Sequence, residues 1–199
     1  AAAGSRITFG MRRSGARSYL AIAGGFDVPL VLGSRSTHLA SGTGGFDGRR
    51  LAVGDGLAGG EPAPTVRMNI GRSVPESARA CYRETAPLRI LPGPQIDTFL
   101  PGALDLLTSG PYRLTGRSDR MGYRLEGPPL IHGSDQEWIS DGTVMGAIQI
   151  LRDGQPILLM ADCQTAGGYP KAAVVITADL PRAAQLLPGD SLSFQLTTL

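Results

Sequence analysis

Twenty-eight glycines and fifteen prolines punctuate these 199 residues so densely that no apolar run grows long. In a helix interior a glycine costs about 1 kcal/mol and a proline about 3 kcal/mol relative to alanine. A chain cut this often folds more readily into short strands joined by turns than into long helices. The expected strands are Arg6–Phe9, Ser18–Ala23, Leu88–Leu91, Tyr112–Thr115, Val144–Leu151, Ile157–Ala161, Ala172–Thr177 and Ser191–Leu196. Val144–Leu151 alternates apolar with small or polar residues, so one face meets a core. Ile157–Met160 and Ala172–Ile176 are apolar throughout and read as central strands. Helical candidates are few: Asp97–Leu107, interrupted by Pro101-Gly102, and Asp179–Leu186, where Asp179 is placed to cap and Pro181 falls early. The fold class expected is all-β, a barrel or sandwich with one or two short helices.

The polar stretch Glu61–Glu84 reads as a connection between two β units, 1–72 and 73–199. Gly33-Ser34-Arg35-Ser36-Thr37 ahead of Gly48-Arg49-Arg50-Leu51 is echoed by Gly116-Arg117-Ser118-Asp119-Arg120 ahead of Glu126-Gly127-Pro128-Pro129-Leu130. Each unit also closes on Gly-Asp, at Gly54-Asp55 and Gly189-Asp190. The first unit looks too short to close a barrel, so an upstream part is expected to be missing.

Bulk properties narrow the function. The net charge is +2, and no arginine run exceeds two residues. That argues against nucleic-acid binding. No apolar stretch approaches the roughly 18 residues of a membrane span, and the first ten residues lack the order of a signal peptide. Cys81 and Cys163 make no disulfide framework, and His38 and His132 have no ligand spacing, so neither a zinc site nor any other metal site is expected. The setting expected is cytoplasmic.

One residue stands apart. Lys171 is the single lysine among nineteen basic side chains. An ammonium is a compact point donor with a tunable pKa, whereas a guanidinium is a permanently charged planar fork. Lys171 ends the stretch Asp162-Cys163-Gln164-Thr165-Ala166-Gly167-Gly168-Tyr169-Pro170-Lys171. The apolar run Pro156–Ala161 delivers Asp162 and Gln164 to the end of a strand, and Gly167-Gly168 lets the backbone turn sharply or approach a ligand closely. Asp162 with Lys171 suits either a catalytic carboxylate–ammonium pair or simple binding.

Three further clusters have the chemistry of a site. Gly24–Pro29 with Gly33–Thr37 offers backbone N–H groups, Ser36 and Arg35 to an anion. Arg117–Arg124 sets three arginines around Asp119, beside Ser118, in a pattern suited to carboxylate or phosphate, with Arg120 as the candidate ligand. In the third, Ser140-Asp141-Gly142-Thr143 reads as an ordinary turn. Gln149 is different, because it falls in an apolar strand. A buried amide left unpaired costs roughly 1–3 kcal/mol, which makes it a ligand candidate. No P-loop and no GxSxG elbow is present.

The four clusters in this order resemble the allophanate hydrolase subunit 2 family, also described as KipA-like or biotin-dependent carboxyltransferase-like. The motifs that carry the resemblance are Tyr19–Pro29, Gly33–Thr37, Ser118-Asp119-Arg120-Met121-Gly122, Ser140–Thr143, Gly146-Ala147-Ile148-Gln149 and Asp162–Lys171. The resemblance implies a cyclophilin-like β-barrel and a subunit 1 (KipI-like) partner in a hetero-oligomer. It also implies, for many bacterial members, the C component of an ATP-dependent 5-oxoprolinase. On that reading the chain is a hydrolase subunit acting on a small lactam or ureido substrate. Lys171, Asp162 and Gln164 would be catalytic; Arg120, Gln149, Ser118, Asp119, Gly167, Gly168, Tyr169, Arg35 and Ser36 would bind substrate. No cofactor would be tightly bound, and ATP would be used by the assembled complex. Two alternatives follow from the same resemblance. One is the carboxyltransferase component of a biotin-dependent urea carboxylase, with biotin arriving on a separate domain. The other is a non-catalytic regulatory partner of a KipI-like protein.

Overall fold

A computed structural model describes residues 3–64, 71–75, 86–133 and 138–198. The chain divides into two compact units: Ala1–Arg17 with Ala80–Leu199, and Ser18–Arg79. Much of the expected junction, Glu61–Glu84, lies outside the described residues.

The first unit carries the sheet. Its strands are β1 (Leu88–Pro92), β2 (Tyr112–Leu114), β3 (Gly122–Glu126), β4 (Asp141–Gly142), β5 (Ala147–Ile150), β6 (Pro156–Leu159), β7 (Ala166–Gly167), β8 (Lys171–Val175), β9 (Ser191–Leu192) and β10 (Phe194–Leu196). Eight of them form one sheet in the order β10-β1-β8-β5-β6-β3-β2-β9. The two outer strands of that order, β9 and β10, are separated in sequence by Ser193 alone. The sheet therefore curls round on itself into a nearly closed barrel, which removes exposed edges. The Ser193 carbonyl accepts from Leu88 N–H at 2.8 Å, extending the β1–β10 pairing to this junction. Pairing is antiparallel except between β1 and β10. The fold is mainly β, as composition leads one to expect.

The core follows the period of two. In β1, Leu88 and Ile90 are buried and Arg89 is exposed; in β3, Tyr123 and Leu125 point inward. Ile148, Ile150, Leu158, Val175, Leu192 and Phe194 complete the interior with Leu107. Tyr112 is buried among them, donates its hydroxyl hydrogen to Pro128 O at 2.8 Å, and has its pKa pushed up to about 12 by burial.

Several sequence expectations shift. The Ser191–Leu196 strand is two strands broken at Ser193, and Ala172–Thr177 begins one residue earlier, at Lys171. Gly122–Arg124, read as part of a loop cluster, is strand β3, because Tyr123 and Leu125 alternate with outward Arg124 and Glu126. Arg6–Phe9 and Ser18–Ala23 form no strand; Ile7, Phe9, Tyr19 and Leu20 are exposed, so neither segment has a covered face. The Asp97–Leu107 segment is a 3₁₀ turn, Ile96–Thr98, followed by the helix α1 (Ala103–Thr108) after Gly102 at φ 86°. The second helix, α2 (Leu180–Ala183), starts with its proline as expected, but Asp179 makes no side-chain cap because its carboxylate is spent on Arg89 and Arg182.

The second unit holds its chain by turns and isolated bridges: Phe26 with Gly59, Val31 with Ser34, His38 with Thr43. Gly48, at φ 64°, tolerates no side chain, since a Cβ there would sit 1.8 Å from Gly42 O. Arg49 grips Asp55 through both nitrogens at 2.7 and 2.9 Å and lies over the Phe46 ring.

Among the described residues no helix is long and apolar enough to cross a membrane.

Candidate functional site

Lys171 opens β8 and is buried, with 6% of its side chain exposed. A buried ammonium is costly unless paired. Its Nζ donates to Asp141 Oδ2 at 2.8 Å. Asp141 lies on β4, and β4 pairs with β7 through Asp141–Gly167 and Gly142–Ala166. The loop that bears Gly167-Gly168 thus fixes the carboxylate that meets the lysine. Asp141 remains 58% exposed on its side chain. The Lys171 hydrogen bond, then the Gly142 N–H and Gln95 bonds, hold its carboxyl below the usual carboxylate range. Asp141 is therefore ionised at neutral pH.

Gln95 ties the pair together. Its Nε2 donates to Asp141 Oδ2 at 3.0 Å, and its Oε1 accepts from Lys171 N–H at 3.1 Å. Its own N–H donates to Lys171 O at 3.3 Å. One side chain thus fixes both the backbone that carries the ammonium and the carboxylate that meets it.

Two carboxamides complete the cluster. Gln149 is 1% exposed and stands opposite Lys171 across β5 and β8. The register slips between Ile148 and Gln149, a bulge of the kind that re-aims a side chain. Gln149 Nε2 donates to Tyr169 O at 2.9 Å, and its Oε1 accepts from Gln164 Nε2 at 3.3 Å. Thr143 Oγ1 donates to Gln164 O, and Thr143 N–H to Thr165 O, so this loop is pinned to β4 as well. A Cβ at Gly167 would lie 2.9 Å from both Gln149 Nε2 and Gln164 Nε2, so a side chain there would displace the two carboxamides. The Tyr169 carbonyl serves the cluster, while the residue as a whole is 41% exposed.

Within the first unit the residues expected to share one site fall into two groups, while Arg35 and Ser36 belong to the second unit. Lys171, Gln149, Gln164, Gly167, Gly168 and Tyr169 come together. Asp162 does not partner Lys171; it accepts from Arg120 Nε at 2.6 Å and from a second guanidinium nitrogen at 2.8 Å. The reason lies in the register: Asp162 N–H bonds Arg120 O at 2.9 Å, just beyond the β3–β6 ladder, so these two side chains face each other. Asp119 and Ser118 serve the turn before β3. Asp119 Oδ1 accepts from Met121 N–H at 2.8 Å, and Ser118 Oγ from Arg124 N–H at 3.0 Å. In the second unit Arg35 donates to Asp27 and Val28 O, and Ser36 N–H donates to Ser34 Oγ at 3.1 Å. Sequence reading missed Asp141 as the lysine's partner and missed Gln95 altogether. A sole buried lysine demands a carboxylate, which is the signal that would have promoted Asp141 above an ordinary turn residue. Gln95, in a proline-rich stretch, carries no such signal. No cluster of three or more metal-ligating side chains occurs among the described residues.

A mainly β, nearly closed barrel with a buried lysine and two carboxamides at one strand end places the chain among carboxyltransferase-type domains. It belongs to the family described as "Carboxyltransferase domain, subdomain A and B", which it matches over residues 1–196. It is 41% identical over 196 residues to the C component of the Escherichia coli K12 5-oxoprolinase, covering 96% of this chain and 60% of that protein. Against the corresponding 5-oxoprolinase component of Haemophilus influenzae it is 36% identical over 197 residues, covering 99% of this chain and 61% of that protein. The chain thus spans about three fifths of the length of these curated relatives. Among solved structures, that of the Kluyveromyces lactis urea amidolyase superposes with a TM-score of 0.78 at 30% identity, over 94% of this chain and 12% of that one.

Proposed function

We propose that this chain belongs to the C-type component of an ATP-dependent 5-oxoprolinase, and that the Lys171 cluster holds and polarises the amide of a small lactam. The observation that carries this is the combination of a buried, under-committed donor with an under-committed acceptor. An ammonium has three N–H donors. Lys171 gives one to Asp141, and no other is bonded among the described residues. Gln164 Oε1 likewise carries no bond there, its Nε2 being turned to Gln149. A lactam ring holds its amide cis, so its C=O and N–H lie along one edge. Lys171 would meet the oxygen and Gln164 Oε1 the N–H.

Hydrolysis then has a defined place for the developing charge. Water adds through oxygen to the lactam carbon, the carbonyl oxygen becomes an oxyanion, the C–N bond breaks and the ring nitrogen takes up a proton. Lys171, held in place by Asp141, donates to the oxyanion as it forms. Such preorganised donors supply much of the catalysis in acyl-transfer chemistry. Gln95 and Asp141 would act as positioning residues. ATP is assigned to the assembled complex, with a subunit 1 (KipI-like) partner, and no step in this chain is routed through it.

The likeness to urea amidolyase favours a second reading, a carboxyltransferase acting on urea with carboxybiotin presented by another domain. Urea offers the same C=O beside N–H. The test is the complex reconstituted with its subunit 1 partner. ATP-dependent opening of 5-oxoproline that falls with Lys171→Ala supports the first reading. Carboxyl transfer from carboxybiotin to urea, without lactam opening, replaces it with the second.

A further inference from the structure

The barrel bears a second polar recess away from the Lys171 cluster. A cavity of about 460 Å³ is lined by Thr115, Arg117, Arg124, Glu126, Asp153 and Gln155, with the half-buried Leu151 beside them. That volume lies within the range of small-molecule sites. Its frame is firmly held. Gln155 clamps Gly127 with both ends of its carboxamide, Oε1 accepting from the N–H at 3.0 Å and Nε2 donating to the carbonyl at 3.1 Å. Ser118 Oγ accepts from Arg124 N–H at 3.0 Å, and Thr115 N–H donates to Arg124 O at 2.9 Å. The backbone that bears Arg124 is thus held from two sides.

The charged groups on this frame are left uncommitted. The Arg117 and Arg124 guanidiniums make no hydrogen bond or ion pair among the described residues, in contrast with Arg120, Arg89 and Arg49. Glu126 pairs in the ladder with Arg113 through the backbone, yet no ion pair forms between their side chains. Asp153 uses one oxygen, Oδ1, to accept from Gln155 N–H at 3.0 Å. Thr115 carries a buried hydroxyl oxygen with no partner among the described residues. Two cations, two anions and a spare hydroxyl share one recess without satisfying one another.

We propose that this recess binds a small zwitterion with an apolar tail, of the α-amino acid class, at a site distinct from the Lys171 cluster. An arginine fork is matched to a carboxylate. A plain anion would face Glu126 and Asp153, and a plain amine would face Arg117 and Arg124; a zwitterion meets both signs. Leu151, the half-buried apolar residue of the lining, would take the tail.

Three probes of one chain length test this by calorimetric titration of the chain: 2-aminopentanoate, pentanoate and pentylamine. The expected result is measurable binding of 2-aminopentanoate and at least about tenfold weaker binding of the other two. Arg124→Ala and Arg117→Ala should each weaken 2-aminopentanoate by about tenfold or more, the usual scale for losing a charge-assisted hydrogen bond. Arg117→Ala changes an exposed turn residue, so it keeps the test valid should Arg124→Ala fail to fold. Lys171→Ala should leave this binding unchanged. No binding of 2-aminopentanoate at concentrations up to about 10 mM, equal binding of pentanoate, or loss of binding in Lys171→Ala would each overturn the proposal.

Discussion

Two buried charges in the same barrel have opposite fates. Asp179 has 4% of its side chain exposed, against an Arg89 that is 47% exposed; Lys171 has 6% exposed, against an Asp141 that is 58% exposed. Each is a buried ion whose partner reaches solvent. Asp179 is saturated: it accepts from Arg89 N–H at 2.8 Å, Arg89 Nε at 3.0 Å and a terminal Arg89 nitrogen at 2.8 Å, with Arg182 at 3.2 Å. Lys171 makes one side-chain bond among the described residues, to Asp141. A buried ion whose bonding capacity is full ties elements together, here β1 to the turn before α2. One left with spare donors is costly to keep and has the means to engage a ligand. Burial alone would have ranked the two residues equally.

That contrast breaks most sharply at Lys171. Lys171→Ala should lower the turnover of the assembled complex by about 100- to 1000-fold, the usual loss for removing an oxyanion donor. Lys171→Arg should do nearly as badly, because a planar fork cannot replace a compact donor in a closed space. Melting temperature should hardly move in the alanine variant, since Asp141 is left open to water. Wild-type turnover in Lys171→Ala would show that spare donors at a buried ion carry no functional meaning here.

The opposite outcome is expected at Asp179. Asp179→Ala removes a saturated buried partner and should cost about 3 kcal/mol of stability, read by denaturant unfolding, with turnover per folded molecule retained. The pH dependence adds a sign. The Arg89 hydrogen bonds lower the Asp179 pKa from 3.8 to about 2. Its stabilisation is therefore complete above 3.8 and is lost as pH falls from there towards 2. The wild type should lose melting temperature across that window, and Asp179→Asn should lose less. Equal slopes would place the acid sensitivity in other carboxylates.

Gln95 tests whether positioning matters once the ion pair exists. Gln95→Ala leaves Lys171 and Asp141 in contact but frees both. Turnover should fall by about tenfold, the scale of one lost hydrogen bond to a charged group, with KM rising less than kcat falls. Gln95→Glu should be worse, because a second carboxylate would compete for the ammonium. A pure change in KM would make Gln95 a substrate contact instead.

The sequence was legible where periodicity and chemical oddity spoke together. Alternation located β5, unbroken apolar runs located β6 and β8, and an amide inside an apolar strand marked Gln149. The sole lysine marked Lys171. What it concealed was pairing. Nothing in the linear chain ranks Asp141 above Asp162 as the lysine's partner; only the register of β4 on β7 sets one against Lys171, and the β3–β6 ladder turns the other towards Arg120. The β3 strand itself was hidden because its outward residues, Arg124 and Glu126, resemble loop chemistry when the inward Tyr123 and Leu125 are not counted. Arg6–Phe9 shows the converse: a strand-like composition forms no ladder without a neighbouring strand.

The smallest effect should come from Arg120–Asp162, the pair that sequence reading placed in the same pocket as Lys171. Its geometry is better than that of the lysine pair, a two-point fork at 2.6 and 2.8 Å, yet Arg120 is 67% exposed on its side chain. Exposed ion pairs contribute about 0–1 kcal/mol, because solvent already screens both charges. Arg120→Ala should therefore shift stability by no more than about 1 kcal/mol and turnover by less than about threefold. Thermal melts and turnover of the reconstituted complex, measured beside Lys171→Ala, decide the matter. A loss in Arg120→Ala as deep as in Lys171→Ala would return Arg120 to the substrate site, and would show that bonds already spent on Asp162 do not keep a guanidinium from the chemistry.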